Sequence, residues 1–114
     1  MKYNLTVRLY AQEKCFGPGV AQLLHRVQRL HSLRAAAMDM DMAYSKAWKI
    51  LRQAEEQLGF SLLHSVTGGK GGGGAQLTEK AEQFLAAYDD FCRELDQHAE
   101  LLFREKFAQW RDRT

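Results

Sequence analysis

Ala35-Ala36-Ala37, Tyr44-Ser45-Lys46-Ala47-Trp48-Lys49 and Thr67-Gly68-Gly69-Lys70-Gly71-Gly72-Gly73-Gly74 follow one another within the stretch Ala35 to Thr78. Ser32 is a good helix cap, and Leu33, Ala36, Ala37 and Met40 then mark the inward face of a short helix whose small alanines allow close crossing. Met40-Asp41-Met42 forms the turn, where Asp41 is one of the few residues besides glycine that accepts a left-handed backbone. A second helix is expected over 43–58, stopped by Gly59. Its core stripe is Ala47, Ile50 or Leu51, Ala54 and Leu58, and Ser45, Lys46, Lys49, Arg52 and Gln53 lie on its outward faces. Trp48 shares a face with Tyr44 and reads as core packing.

Leu62 to Val66 and Ala75 to Leu77 flank the glycine run, as the arms of a β-hairpin do. Two helices joined by a tight turn, followed by such a hairpin, are the parts of a winged helix-turn-helix that enters a DNA groove. Upstream, Tyr3, Leu5, Val7 and Leu9 alternate with polar residues, which predicts an edge strand. Phe16-Gly17-Pro18-Gly19 breaks the chain, and Val20, Leu23, Leu24, Val27 and Leu30 place one apolar stripe on a helix over 19–31. Downstream, Thr78 caps a helix that meets no Pro or Gly as far as Trp110, on the order of 50 Å long. Leu85, Tyr88, Cys92, Leu95, Ala99 and Leu102 recur along it at alternating spacings of three and four, a heptad seam. A rod of that length cannot bury its second half against a small domain, so pairing with its own copy is expected. The fold class is mainly α with a small β-hairpin wing. Residues 1–78 make the winged helix-turn-helix and residues 79–114 a long C-terminal dimerisation helix.

At 114 residues and 46% hydrophobic, the chain has room for one ordinary domain. No run approaches the roughly 18 apolar residues of a membrane span, and the first residues form no signal segment. The expected location is the prokaryotic cytoplasm, with the nucleoid, and no membrane partner. Cys15 and Cys92 read as free thiols. Residues 1–77 hold 10 Lys and Arg against 5 Asp and Glu, whereas residues 78–114 hold 6 against 9. A basic front half with an acidic back half suits a phosphate-facing module joined to an element that faces away from nucleic acid.

Other chemistry fails on context. Gly69, Gly71 and Gly74 fit a dinucleotide-binding spacing, but the acids that follow, Asp89 and Asp90, lie inside an uninterrupted helix rather than at the end of a second strand. Lys70 is followed by Gly71 where a phosphate-binding loop needs Ser or Thr. Met38, Met40 and Met42 read as core filler rather than soft metal ligands. His25, His31, His64 and His98 are scattered, so no metal site is expected. No nucleophile has a base partner, and neither an enzyme nor a cofactor is expected.

Ser32 to Ala37, Met40 to Trp48 and the string Thr67-Gly68-Gly69-Lys70-Gly71-Gly72-Gly73-Gly74-Ala75-Gln76-Leu77-Thr78 resemble the N-terminal DNA-binding domain of molybdate-responsive transcriptional regulators, the ModE family. That winged helix is related to the domain of LysR-type regulators. The resemblance covers nearly the whole chain and implies a homodimer, held by the long terminal helix, on a palindromic operator in double-stranded DNA. Asp41 stands where the family commonly has Gly, and Ser45 where Lys or Arg is usual. Ala43 stands where Ser is common, forgoing a cap worth about 0.5–2 kcal/mol. In the full-length regulators molybdate is held by C-terminal domains of another fold, for which 114 residues leave no room, so molybdate is not expected to bind this chain.

The resulting expectation is a sequence-specific transcriptional regulator, with a link to molybdenum metabolism implied by the resemblance. Lys46, Lys49, Arg52 and Lys70 supply phosphate or base contacts, Tyr44 and Ser45 help set register, and Thr67, Gly68, Gly69, Gly71, Gly72, Gly73 and Gly74 form the wing. The alternative is a winged-helix interaction module, a dimerisation partner or antagonist without sequence-selective DNA binding.

Overall fold

The computed structural model describes residues 1–66 and 74–111. A short hairpin of β1 (Leu9–Tyr10) and β2 (Lys14–Phe16) leads into α1 (Pro18–Leu30), α2 (Leu33–Asp39) and α3 (Tyr44–Leu58). A second antiparallel hairpin, β3 (Leu63–Val66) and β4 (Gly74–Leu77), precedes α4 (Glu79–Arg111). Three helices, a wing and a long terminal helix make this a winged helix-turn-helix.

Local chemistry explains each boundary. Pro18 occupies the first turn of α1, where its missing N–H costs nothing, and His31 ends that helix in a left-handed conformation (φ 58°). The Ser32 Oγ accepts the Ala35 N–H at 3.1 Å, capping α2 as expected. Asp41 takes the left-handed turn position, φ 53°. Gly59 closes α3 at φ 82°. The Thr78 Oγ1 accepts the Ala81 N–H at 3.1 Å and donates to the Ser61 carbonyl at 2.7 Å, so one hydroxyl caps α4 and ties it to the foot of the wing.

The core lies where α1, α2 and α3 converge beneath the first turns of α4. Phe16, Leu23, Leu24, Val27, Leu51, Leu62 and Leu85 are its largest fully enclosed side chains. Ala36, Ala37, Ala47 and Ala54 let the helix backbones approach. Phe16 meets the rings of Phe84 and Tyr88 edge-on, each at 4.9 Å between centroids, which anchors β2 under α4.

Two sequence expectations need correction. The alternation from Tyr3 to Leu9 forms a strand only at its end, β1. Met1 to Arg8 instead form a strap along α4, because β2 is too short to pair with them and side chains of α4 supply the bonds. The Tyr88 hydroxyl donates to the Val7 carbonyl at 2.7 Å, and the Tyr3 hydroxyl bonds Asp96 at 3.0 Å while its ring meets Phe103 edge-on at 5.0 Å. The terminal helix, expected to be regular as far as Trp110, carries a non-helical residue at Phe107 (φ −119°, ψ 18°).

Candidate nucleic-acid interface

The amphipathic order of α3 divides its residues between core and surface. Ala47, Leu51 and Ala54 are buried, while Ser45, Lys46, Lys49, Arg52 and Gln53 are exposed. Among the described residues, Arg34, Lys46, Lys49 and Arg52 have no carboxylate partner. Elsewhere Arg26 and Arg29 both bind Asp39, at 2.7 and 3.0 Å, and Arg104 binds Glu100 at 2.9 Å. The Arg26 hydrogen bond, with the charge of Arg29 added, holds the Asp39 carboxyl below its ordinary range. Positive charge is thus neutralised on α1 and left open on α2 and α3.

Tyr44 opens α3 half-buried, with its ring edge-on to Trp48 at 6.2 Å. Trp48 packs partly against the core, as expected, yet its open face lines two clefts. One lies over the outer face of α3, lined by Ser45, Lys49, Arg52 and Glu56 of that helix together with Glu13. The second, about 530 Å³, separates Arg34, Tyr44 and Trp48 from the wing residues Leu63, His64 and Ser65. Sequence reasoning missed Arg34, His64 and Ser65. Arg34 carried a signal, being a cation two residues beyond a helix cap, but its partner lies across the turn.

The wing pairs Leu63 with Leu77, His64 with Gln76, Ser65 with Ala75 and Val66 with Gly74. The Ala75 N–H donates to the His31 carbonyl at 3.0 Å, so β4 is bonded to the end of α1. The expected wing-tip residues Thr67, Gly68, Gly69, Lys70, Gly71, Gly72 and Gly73 lie outside the described residues, and Gly74 opens β4.

On α4 the six seam residues divide. Leu85 and Tyr88 are buried in the core of their own chain, Cys92, Leu95 and Ala99 are half-buried, and Leu102 is 55% exposed. Phe91, Leu101, Phe107 and Trp110 are also exposed. Burial first, and then the neighbouring Cys92 thiol, push the Tyr88 phenol up to about 12. Among the described residues no helix is long and apolar enough to cross a membrane.

Comparison with known proteins agrees with this geometry. The family described as "Bacterial regulatory helix-turn-helix protein, lysR family" matches residues 20–82. The Transcriptional regulator ModE of Haemophilus influenzae is 36% identical over 85 residues, 75% of this chain and 33% of that protein. The DNA-binding transcriptional dual regulator ModE of Escherichia coli (strain K12) is 31% identical over 90 residues, 78% of this chain and 34% of that protein. The Molybdenum transport protein ModE of Herbaspirillum seropedicae is 34% identical over 84 residues, 74% of this chain and 30% of that protein. The chain spans about a third of the length of these relatives.

Proposed function

The chain belongs to the lysR family of bacterial regulatory helix-turn-helix proteins, and from that premise we propose that it is a cytoplasmic transcriptional regulator acting as a homodimer on a palindromic operator. The observation that carries this reading is the division of α3: Ala47, Leu51 and Ala54 are spent on the core, which leaves Ser45, Lys46, Lys49 and Arg52 exposed beside a wing. A recognition helix needs that arrangement, since its outward N-terminal face meets base edges while cations neutralise phosphate. Tyr44, Ser45, Lys46, Lys49 and Arg52 are the proposed contacts on α3, and Lys70 the contact from the wing.

The second copy is proposed to meet the outer part of α4, where Leu102 of the seam and Phe91 are exposed and Leu95 is half-buried. The name of the Herbaspirillum seropedicae relative supplies the link to molybdenum, which we extend to the regulated genes and not to molybdate binding by this domain.

One observation favours a second reading, an interaction module without selective DNA binding. Ala43 begins α3 with no side-chain cap, and Ser45 places no charge at its groove-facing end. Selection of bound sequences from a random duplex pool at near-physiological salt separates the two. An enriched palindrome is the expected outcome. Folded dimers that enrich nothing would favour the interaction module.

A further inference from the structure

The DNA-binding reading names contacts on α3 and the wing, and the inference that follows rests on it while adding a residue of α2. The guanidinium of Arg34 lies over the Tyr44 ring, 4.2 Å from its centroid. Tyr44 meets Trp48 edge-on, and the Arg52 guanidinium stands 5.4 Å over the Trp48 ring. Two helices therefore contribute a ladder of cation, ring, ring and cation. Each stack lies within the roughly 6 Å over which a ring face attracts a cation.

Arg34, Tyr44 and Trp48 of the ladder form one wall of the groove of about 530 Å³ whose other wall is the wing, while Arg52 lines the cleft over α3. No carboxylate lines that groove among the described residues, and Ser32, His64 and Ser65 supply its remaining polar side chains. The cleft over the outer face of α3 differs, since Glu13, Glu55 and Glu56 line it. In that cleft Lys49 and Arg52 are mixed with the acids, whereas a phosphate in the groove beside the wing meets no carboxylate among the described residues. The contact also restrains the Arg34 head beside the groove, and a guanidinium offers a planar fork of N–H donors that fits two phosphate oxygens.

We propose that the groove between the ladder and the wing takes one sugar-phosphate strand of the duplex, and that Arg34 is its phosphate ligand, positioned by the Tyr44 ring. The first helix of a helix-turn-helix crosses the DNA backbone, which is where a phosphate ligand belongs. Tyr44 then acts as a positioning residue through its ring face.

The test is a set of binding titrations of the 114-residue protein with a selected duplex and an unrelated duplex over a range of salt concentrations. Arg34 is exposed, so Arg34→Ala should keep the wild-type melting temperature. It should lose roughly tenfold or more in affinity for both duplexes. The slope of log affinity against log salt should fall by about 0.9 for each Arg34 engaged. Arg34→Lys should keep the slope but only part of the affinity, and Arg34→Ala should cost less in a Tyr44→Ala background. If Arg34→Ala binds both duplexes like wild type while wild type selects its operator, the inference fails and the DNA-binding reading stands. A loss confined to the selected duplex, with the slope unchanged, would overturn the phosphate assignment in favour of a base contact. Failure of the wild-type chain to bind any duplex would remove the inference together with the reading beneath it.

Discussion

Gly74 approaches His31 so closely that a β-carbon at residue 74 would stand 2.6 Å from the His31 carbonyl oxygen. The same oxygen accepts the Ala75 N–H. His31 itself sits in the left-handed region as the last residue of the α1 cap, so its carbonyl is turned outward to meet the wing. This peptide group ties β4 to the end of α1, as the Leu62 N–H bond to Glu55 ties the other arm of the wing to α3, and together they bound the groove beside Tyr44 and Trp48.

Gly74→Ala should accordingly force β4 away from α1. The clash is with backbone, which cannot rotate aside as a side chain does, and overpacking of this kind costs about 1–3 kcal/mol. Urea denaturation should show that loss, and DNA affinity should fall with it. Wild-type stability in this variant would show that the contact is dispensable.

Leu51 and Lys49 lie two residues apart on α3 and should fail in different ways. Leu51 is 1% exposed, so Leu51→Ala should destabilise the domain by roughly 2–5 kcal/mol through the cavity it leaves. Lys49→Ala should leave the melting temperature within the ordinary scatter of surface variants and weaken DNA binding. Paired melting and binding measurements on both variants check the assignment of the two faces.

Helix capping gives opposite predictions at two positions. Thr78→Ala removes the hydroxyl that joins Ala81 to Ser61 and should cost about 0.5–2 kcal/mol. Ala43→Ser supplies a cap that α3 lacks, on a backbone already extended (φ −63°, ψ 142°), and should raise stability by about 0.5–1 kcal/mol. Denaturant midpoints read both.

The buried Tyr88 phenol makes stability depend on alkaline pH. Its folded value of about 12 lies above the ordinary 10.0, so the native state holds the proton where the unfolded chain has released it. The contribution is complete below about pH 10 and is lost as pH rises towards 12. Tyr88→Phe should lose the bond to Val7, a net effect of about 0.5–1.5 kcal/mol at neutral pH, and should narrow its deficit against wild type between pH 10 and 12. A constant difference across that window would assign the wrong group.

Leu102 is the most exposed of the seam residues, and a charge there opposes burial against a second copy. Leu102→Glu should weaken dimerisation by an order of magnitude or more, given about 1.5–3 kcal/mol for burying a leucine. Sedimentation equilibrium measures this directly, and an unchanged association constant would place the dimer contact elsewhere.

Elements whose signals are local were legible in the sequence. Ser32, Asp41, Gly59 and Thr78 act within three or four residues of themselves, so cap, turn and stop could be read from residue chemistry alone. The apolar spacing of α1 and α3 likewise assigned their buried faces, because a period of 3.6 residues has one geometric solution, except that Leu30, at the end of α1, is exposed. The strap was not legible in this way. Alternation from Tyr3 to Leu9 states that one side of an extended segment is apolar, and leaves open whether a strand or a helix covers it. Tyr88 and Asp96, more than 80 residues away, settled that.

Residue chemistry alone determined the helix-turn-helix, the wing arms, the long final helix and the cationic face of α3, since each depends on backbone propensity and amphipathic period. Only the tertiary structure decided that Leu85 and Tyr88 are drawn into their own chain's core, that Gly74 must pass beside His31, and that Arg34 rests on Tyr44. These depend on distances between elements, which are set when the packed core fixes how the helices cross, and no spacing along the chain encodes them.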